Sequence, residues 1–233
     1  MVDGGTPVTA LDIDIWSDVM CPWCAVGYAN LSRALEQVGD DVDATIRWMP
    51  FELNPEAPPA GKSQAAHIAE VYGRSPGELA AMRQTMSEKA RAAGFPLDYT
   101  GGEDPPPVPM MWNTFDAHKL LRWALASAGA AMQTRLKLAL FAAHLRERRD
   151  VSDHQVLADV AASIGLDREE ALAALLDPAL GEAIRHEEAR AKANGITAVP
   201  TFVIAGKYVL QGSAEPAQFA RALTQIATME AAA

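Results

Sequence analysis

The chain has 233 residues, of which 49% are hydrophobic and 21% are charged, and its formal net charge is −10. This length predicts one large domain or two small ones, and the hydrophobic fraction is sufficient for a sizeable core. The acidic charge disfavours nucleic acid as a partner, because a phosphate backbone requires a basic patch and the sequence shows none.

The sequence also gives expectations about the compartment. No run is long and apolar enough to cross a bilayer, so we expect no membrane association. The N-terminal stretch MVDGGTPVTALDIDIW lacks the basic and apolar regions of a secretory signal. These features predict a cytoplasmic protein, in which structural disulfides are rare. A mature secreted chain whose signal has been removed is the alternative.

The first fifty residues predict a βαβ unit. Residues 10–16 (ALDIDIW) alternate between apolar and polar, as a strand does, and residues 42–51 (VDATIRWMPF) alternate again. Between them, apolar residues recur at helical spacing from Val26 to Val38, and Gly39 predicts the end of the helix. The two cysteines of the chain therefore lie at the start of this helix.

The middle of the chain predicts helices almost throughout. NPEAPPAGK at 54–62 marks a boundary, and the proline-rich GGEDPPPVP at 101–109 predicts a loop. Ser75-Pro76-Gly77-Glu78 predicts a helix start with a capping box. Further helices are predicted over residues 113–128, 130–148, 153–165 and 178–194, and from residue 167.

Strand character returns near the C-terminus. Residues 201–206 (TFVIAG) and 207–212 (KYVLQG) predict a hairpin that turns at Gly206, and Glu215-Pro216 predicts the start of a final helix. The order is βαβ, a long helical block, then ββα. It predicts an α/β fold in which a helical block interrupts one sheet-containing domain.

The motif Cys21-Pro22-Trp23-Cys24 contains the only two cysteines of the sequence. At a helix N-terminus, free N–H groups and the helix dipole favour a negative charge, which predicts a lowered pKa for the Cys21 thiol. Pro22 is tolerated in the first turn, where its missing N–H has no partner to lose. Cys24 lies one turn further on the same side, so the pair supplies an attacking thiolate and a resolving thiol for disulfide exchange.

Two other interpretations of the cysteines are weaker. Two inert buried thiols are disfavoured by this spacing at a helix start. A zinc site needs about four ligands, yet the sequence has no second cysteine pair and its five histidines show no close paired spacing. We therefore expect no metal.

A second feature is the segment Ile-Thr-Ala-Val-Pro-Thr at 196–201, directly before the predicted hairpin. A proline at the start of a strand fits a tight turn, in some cases with a cis bond. On its own, Pro200 is interpreted only as a strand-opening residue.

Together these stretches resemble the DsbA-like branch of the thioredoxin superfamily, and more narrowly the FrnE-type cytosolic dithiol oxidoreductases. The resemblance rests on DVMCPWCAVGYANL, FELNP, NTFDAHKLLRWA, GITAVPTFVI and GSAEPAQF, which span nearly the whole chain. It implies a thioredoxin-like domain formed by residues 8–60 and 191–230, with a helical insertion domain at 61–190 that caps the active site. It also implies a protein-disulfide oxidoreductase with Cys21 as nucleophile and Cys24 as resolving cysteine.

The resemblance assigns further roles. Pro200 is expected to be cis and to pack against the disulfide, and the backbone of Val199 is expected to pair with the substrate peptide. Pro22 and Trp23 are expected to tune the redox potential. Thr201 and Asn113 are further substrate-binding candidates, and His118 lies in the same shared stretch as Asn113. Relatives often have Gly-Ala-Gln where this chain has Gly-Ser-Ala at 212–214, so any role of that glutamine does not carry over.

Two alternative functions stay open at this point. Glutathione-dependent 2-hydroxychromene-2-carboxylate isomerases and kappa-class glutathione transferases share the architecture, but the isomerases typically have serine where this chain has Cys21. A peptide-binding chaperone would use the groove at Val199 and Pro200 without thiol chemistry. The resemblance implies no cofactor beyond the redox-active disulfide, with glutathione as a candidate electron donor or co-substrate. The implied partners are protein or small-molecule thiols and disulfides, and the chain is a monomer or a homodimer.

Overall fold

The structure is a computed structural model that describes residues 8–73 and 75–232. Its strands are β1 (Thr9–Ser17), β2 (Val42–Pro50), β3 (Lys62–Ser63), β4 (Met110–Met111), β5 (Thr201–Ile204) and β6 (Tyr208–Gln211). Its helices are α1 (Pro22–Val38), α2 (Gln64–Tyr72), α3 (Pro76–Ala93), α4 (Phe115–Phe141), α5 (His154–Ser163), α6 (Arg168–Leu176), α7 (Pro178–Ala193) and α8 (Pro216–Ala231). A π-helical turn, Ala142–Arg146, follows α4 directly.

The main sheet has four strands in the order β2-β1-β5-β6. β1 pairs parallel with β2 and antiparallel with β5, which in turn pairs antiparallel with β6. The apolar side of β1, which includes Ile13 and Ile15, packs with residues of α1 and α8 such as Leu31 and Phe219. This arrangement confirms the predicted α/β thioredoxin-like fold, with β1 at its centre and α1 rising from the end of β1.

The segment between β2 and β5 builds a second core. Its buried residues come mainly from α4, α5 and α6, and they include Leu120, Leu136, Leu157 and Leu175. The segment is helical as predicted, but it also contains α2 and the two-stranded sheet β3-β4, which the sequence pattern did not predict. Its division from the main sheet as a separate domain stays a prediction.

The helix boundaries follow the predicted start and stop signals. Ser75 and Glu78 form the capping box at the start of α3, and Asp153 and Asp167 cap α5 and α6 through their carboxylates. The two predicted helices on either side of residue 129 are present as the two parts of α4, which meet at a kink at Gly129, where φ is 83° and the backbone is not helical. Glycine tolerates this positive φ, which allows the chain to turn between the two parts.

The second half of α4 lies against β2, an edge strand of the main sheet. The Gln133 side chain accepts a hydrogen bond from the Trp48 N–H (2.9 Å) and donates one to the Trp48 carbonyl (2.9 Å). The Trp48 indole N–H donates to Thr134 Oγ1 at 3.0 Å. These bonds satisfy backbone groups at an otherwise open sheet edge and fix the register of α4 on the sheet. The next turn of α4 is thereby directed at the C-terminal end of β1.

Candidate active site

Cys21 and Cys24 lie where β1 ends and α1 begins. Cys21 is the N-cap of α1, its N–H donates to the Asp18 carbonyl (3.1 Å), and Pro22 occupies the first helical turn. The Cys24 N–H donates to the Cys21 carbonyl at 3.0 Å. Both cysteines are free thiols. Cys21 is 4% exposed and Cys24 is 0% exposed, so only Cys21 of the pair keeps contact with solvent.

The Val199–Pro200 segment faces Cys21. The Cys21 thiol donates to the Val199 carbonyl with an S···O distance of 3.9 Å, and the Val199–Pro200 peptide bond is cis. Gly27 permits this close approach: a Cβ at this position would lie 3.0 Å from Pro200 Cγ. The structure therefore brings together the two cysteines, Val199 and Pro200, which the sequence places more than a hundred residues apart.

Asp18 is a buried carboxylate next to the cysteines that the sequence analysis missed. Its Oδ1 accepts the Met20 N–H at 3.1 Å and its Oδ2 accepts the Leu53 N–H at 2.7 Å. Asp18 thus ties the loop before Cys21 to the loop after β2. Burial raises the pKa of Asp18, and these two backbone hydrogen bonds oppose the rise.

Lys137 is the second charged residue of the site that the sequence analysis missed. Its side chain is fully buried, at 0% exposure, and its Nζ donates to the Ser17 carbonyl at 3.4 Å. The ammonium lies 4.9 Å from the ring centroid of Phe141 and 5.3 Å from that of Trp48. Burial lowers the pKa of Lys137 to about 8, and the negative charges of Cys24, Asp18 and Cys21 act in the opposite direction.

The two thiols titrate as a pair. Donation of the Cys21 thiol proton toward Cys24, together with burial, raises the pKa of Cys21 well above its ordinary value. Burial alone would also raise the pKa of Cys24, but hydrogen bonds from Cys21 and Ser17 and the charge of Lys137 outweigh it and lower that pKa. The two thiols are coupled, so ionisation of one opposes ionisation of the other. Burial and the partner thiol thus act against the effect of the helix N-terminus on the pKa of Cys21.

The remaining predicted site residues lie at different depths. Trp23 is 38% exposed beside the cysteines, and Pro22 is half-buried. Thr201 is buried and its hydroxyl donates to the Ala198 carbonyl at 2.7 Å. The Asn113 amide donates to the Pro55 carbonyl (3.1 Å), and its oxygen accepts the Phe115 N–H (2.9 Å). In this structure, the side chains of Thr201 and Asn113 hold local loops.

His118 lies in the first half of α4 and is buried. Burial lowers its pKa well below the ordinary value, and the charge of Lys137 lowers it further. A neutral ring is therefore expected at this position. Within residues 8–73 and 75–232, no group of three or more His, Cys, Asp or Glu side chains is arranged to hold a metal ion. In the same described part of the chain, no helix is both long and apolar enough to span a membrane.

Comparison with known proteins agrees with this geometry. The model of the DSBA-like thioredoxin domain matches residues 12–224. YwbO of Bacillus subtilis is 27% identical over 91% of this chain and 95% of its own length. The structure of the probable DsbA oxidoreductase SCO1869 of Streptomyces coelicolor superposes with a TM-score of 0.80 and 30% identity, covering 92% of this chain and 89% of that one.

Two further solved structures share the fold at lower identity. The cytosolic disulfide reductase DsbM of Pseudomonas aeruginosa has a TM-score of 0.64 and 19% identity, covering 94% of this chain and 99% of its own. A 2-hydroxychromene-2-carboxylate isomerase has a TM-score of 0.64 and 17% identity, covering 94% and 98%. The family match over most of the chain shows that this protein belongs to the DSBA-like thioredoxin domain family.

Proposed function

We propose that this protein is a thiol–disulfide oxidoreductase in which Cys21 exchanges with the substrate and Cys24 resolves the mixed disulfide. One observation carries the proposal: Cys21 caps α1 with its sulfur against the Val199 carbonyl, while Cys24 is enclosed one turn behind it. A nucleophile with access and a protected partner are what exchange through a mixed disulfide requires.

In the reductive direction, the reaction begins with a proton transfer between the two thiols. As a substrate disulfide approaches, the Cys21 proton passes along the hydrogen bond to Cys24, and the Cys21 thiolate attacks the nearer substrate sulfur. A Cys21–substrate bond forms, the substrate S–S bond breaks, and the first substrate thiolate leaves. Cys24 then loses its proton to that thiolate and attacks Cys21. The Cys21–Cys24 disulfide forms and the second substrate thiolate leaves, so two electrons pass to the substrate.

The surroundings of Cys21 suggest how substrate is held. The Val199 carbonyl lies beside the reacting sulfur and suits pairing with an extended substrate backbone, while exposed Trp23 offers an apolar surface on the other side. Glutathione is a second proposed partner, because DsbM, which shares the fold, has been solved with it. The description of DsbM as cytosolic supports the cytoplasm as the proposed compartment.

Trapping the mixed disulfide tests the assignment of the two cysteines. The Cys24→Ser variant, reacted with oxidised glutathione or an oxidised peptide, should accumulate one covalent adduct on Cys21, seen as a defined mass increase. Cys21→Ser should form no such adduct at a comparable rate, since Cys24 is enclosed. Equal labelling of both variants, or of neither, would contradict the proposed roles.

A glutathione-dependent isomerase is the second candidate, favoured by the fold shared with 2-hydroxychromene-2-carboxylate isomerase. In that case glutathione would supply the only reacting thiol, and the Cys21–Cys24 pair would be dispensable. Isomerisation of an aromatic substrate with added glutathione, retained in Cys24→Ser, would favour this candidate. Peptide binding that survives Cys21→Ser would instead favour a chaperone.

A further inference from the structure

An unusual feature of the site is a buried ammonium without a carboxylate partner. In the part of the chain that the structure describes, no carboxylate oxygen forms an ion pair with Lys137 Nζ, which donates to the Ser17 carbonyl at 3.4 Å. Two aromatic rings, Phe141 and Trp48, lie beside the ammonium. A buried charge with so little compensation lowers the stability of the folded protein.

Several polar and ionisable groups surround the Lys137 ammonium. Ser17, whose carbonyl accepts from Lys137, is the last residue of β1, and Cys24 shares one buried cluster with Trp48 and Phe141, the two rings beside the Lys137 ammonium. The ionisable groups whose charges interact with that of Lys137 are Asp18, Cys21 and Cys24 from the β1–α1 junction, and His118 from the part of α4 before Gly129. His118 is neutral, and the Asp18 carboxylate already accepts two backbone hydrogen bonds. The thiol pair is thus the group whose charge changes during the reaction.

We propose that Lys137, supplied by the inserted helix α4, is the charge partner of the Cys24 thiolate and promotes its attack on the mixed disulfide. This inference rests on the proposed oxidoreductase function. In the resolving step, the Cys24 thiolate forms the bond to Cys21, the Cys21–substrate bond breaks, and the electron pair leaves on the substrate sulfur. Lys137 keeps its proton throughout; it acts on the thiolate by charge and is therefore a positioning residue.

A matched pair of variants isolates this role. Lys137→Met removes the charge and keeps an unbranched apolar side chain in the buried space. Lys119→Met does the same to the other buried lysine of α4, which is 7% exposed and pairs with Asp116 at 3.4 Å. Thiolate formation is followed by ultraviolet absorbance across pH, the reduction potential is measured in glutathione buffers, and circular dichroism monitors the fold.

The expected result is specific to Lys137→Met. The first ionisation of its thiol pair should move to higher pH by about one unit, which makes the pair a roughly tenfold weaker acid. Because the ionised reduced form loses its charge partner, the potential should fall at pH values where the wild-type pair is ionised, by up to about 30 mV, the equivalent of that tenfold change. Lys119→Met should keep the wild-type pH profile and potential. A folded Lys137→Met variant with the wild-type profile would overturn the proposal, as would equal shifts in both variants.

A measurement on the wild-type protein covers the case in which Lys137→Met does not fold. Coupling is reciprocal, so the thiolate that Lys137 stabilises must in turn raise the pKa of Lys137. NMR titration of ¹³C-labelled lysine should show one ammonium that titrates at lower pH in the disulfide form than in the dithiol form. Identical titration in both forms would overturn the proposal. If the wild-type protein forms no Cys21–Cys24 disulfide in any redox buffer, the proposed function itself fails.

Discussion

The two buried lysines of α4 lie on opposite sides of the break at Gly129, and their surroundings differ. Lys119, in the core of the inserted segment, donates to the Leu175 carbonyl and pairs with Asp116, which also bonds His154. Lys137, beneath the thiols, has one long hydrogen bond to a carbonyl and two aromatic rings. A lysine with a carboxylate partner suits a structural role, whereas a lysine without one is placed to respond to a charge that appears and disappears.

The largest expected effect is a pH dependence of the free energy of unfolding, caused by His144, a buried histidine of the inserted segment. Burial lowers the pKa of His144 from 6.5 to about 4. Between pH 6.5 and about 4, His144 is protonated in the unfolded chain but not in the folded protein. The free energy of unfolding therefore decreases as pH falls over this range. The loss should approach roughly 3 kcal/mol. Denaturant unfolding of wild type and His144→Gln at several pH values checks this, and equal acid sensitivity of the two would contradict it.

The next largest effect is a difference in stability between the two lysine variants: one should be less stable than wild type and the other should not. Lys119→Met leaves the buried Leu175 carbonyl without its donor and Asp116 without its lysine partner, and should cost about 2 kcal/mol. Lys137→Met removes a poorly compensated buried charge and should leave the disulfide form at least as stable as wild type. Urea denaturation of both variants measures the difference.

The effect of Lys137→Met on stability should also depend on pH. The folded pKa of Lys137, about 8, lies below its ordinary 10.5. Its cost to stability is therefore fully present below about pH 8 and is relieved as pH rises toward 10.5. The stability advantage of Lys137→Met should shrink over that range. An advantage that grows with pH would contradict the assignment of this cost to the Lys137 charge.

A smaller effect is expected where α1 meets the Pro200 segment. In Gly27→Ala the added Cβ would lie 3.0 Å from Pro200 Cγ and 3.2 Å from Phe202 Cζ, so the neighbours must shift by a few tenths of an ångström. We expect a loss of about 1 kcal/mol and slower reaction of Cys21 with disulfides, since Val199 moves with Pro200. Gly77→Ala is the control, because a Cβ there meets nothing within 4 Å. Equal behaviour of the two variants would contradict the role of this contact.

Local patterns in the sequence predicted most of the fold. Alternation in residues 10–16 and 42–51 and the cap at Ser75 are short-range signals, and the structure bears them out. The strands β3 and β4 have two residues each, which is too short for an alternating pattern to be recognised. Helix α2 lies close to a proline-rich boundary, and residues 64–71 are half-buried or exposed, so no buried face marks it.

The site was predictable only where a motif marked it. The spacing of Cys21 and Cys24 indicated the two thiols, and the family resemblance added Val199 and Pro200, which the structure places beside Cys21. Lys137 carried no such signal, because a lysine in an amphipathic helix is usually a solvent-facing residue. Its burial depends on how Gln133 and Thr134 dock α4 onto Trp48, a contact between segments about eighty residues apart.

The effect of the surroundings on the pKa of each thiol also could not be predicted from the sequence. A helix N-terminus favours a thiolate at Cys21, but the fold places Ser17 and Lys137 beside Cys24 and encloses it. These neighbours lower the pKa of Cys24, one turn into the helix, and oppose the effect of its burial.

The most direct test of the central claim is a redox titration of the whole protein. The protein is equilibrated across glutathione buffers, its thiols are trapped by alkylation, and the modified species are counted by mass. The account predicts one two-electron transition in which Cys21 and Cys24 change together, and its loss in Cys21→Ser and in Cys24→Ser. If both cysteines stay reduced across all buffers, or each forms only a separate glutathione adduct, the pair is not a redox centre and the oxidoreductase proposal is wrong.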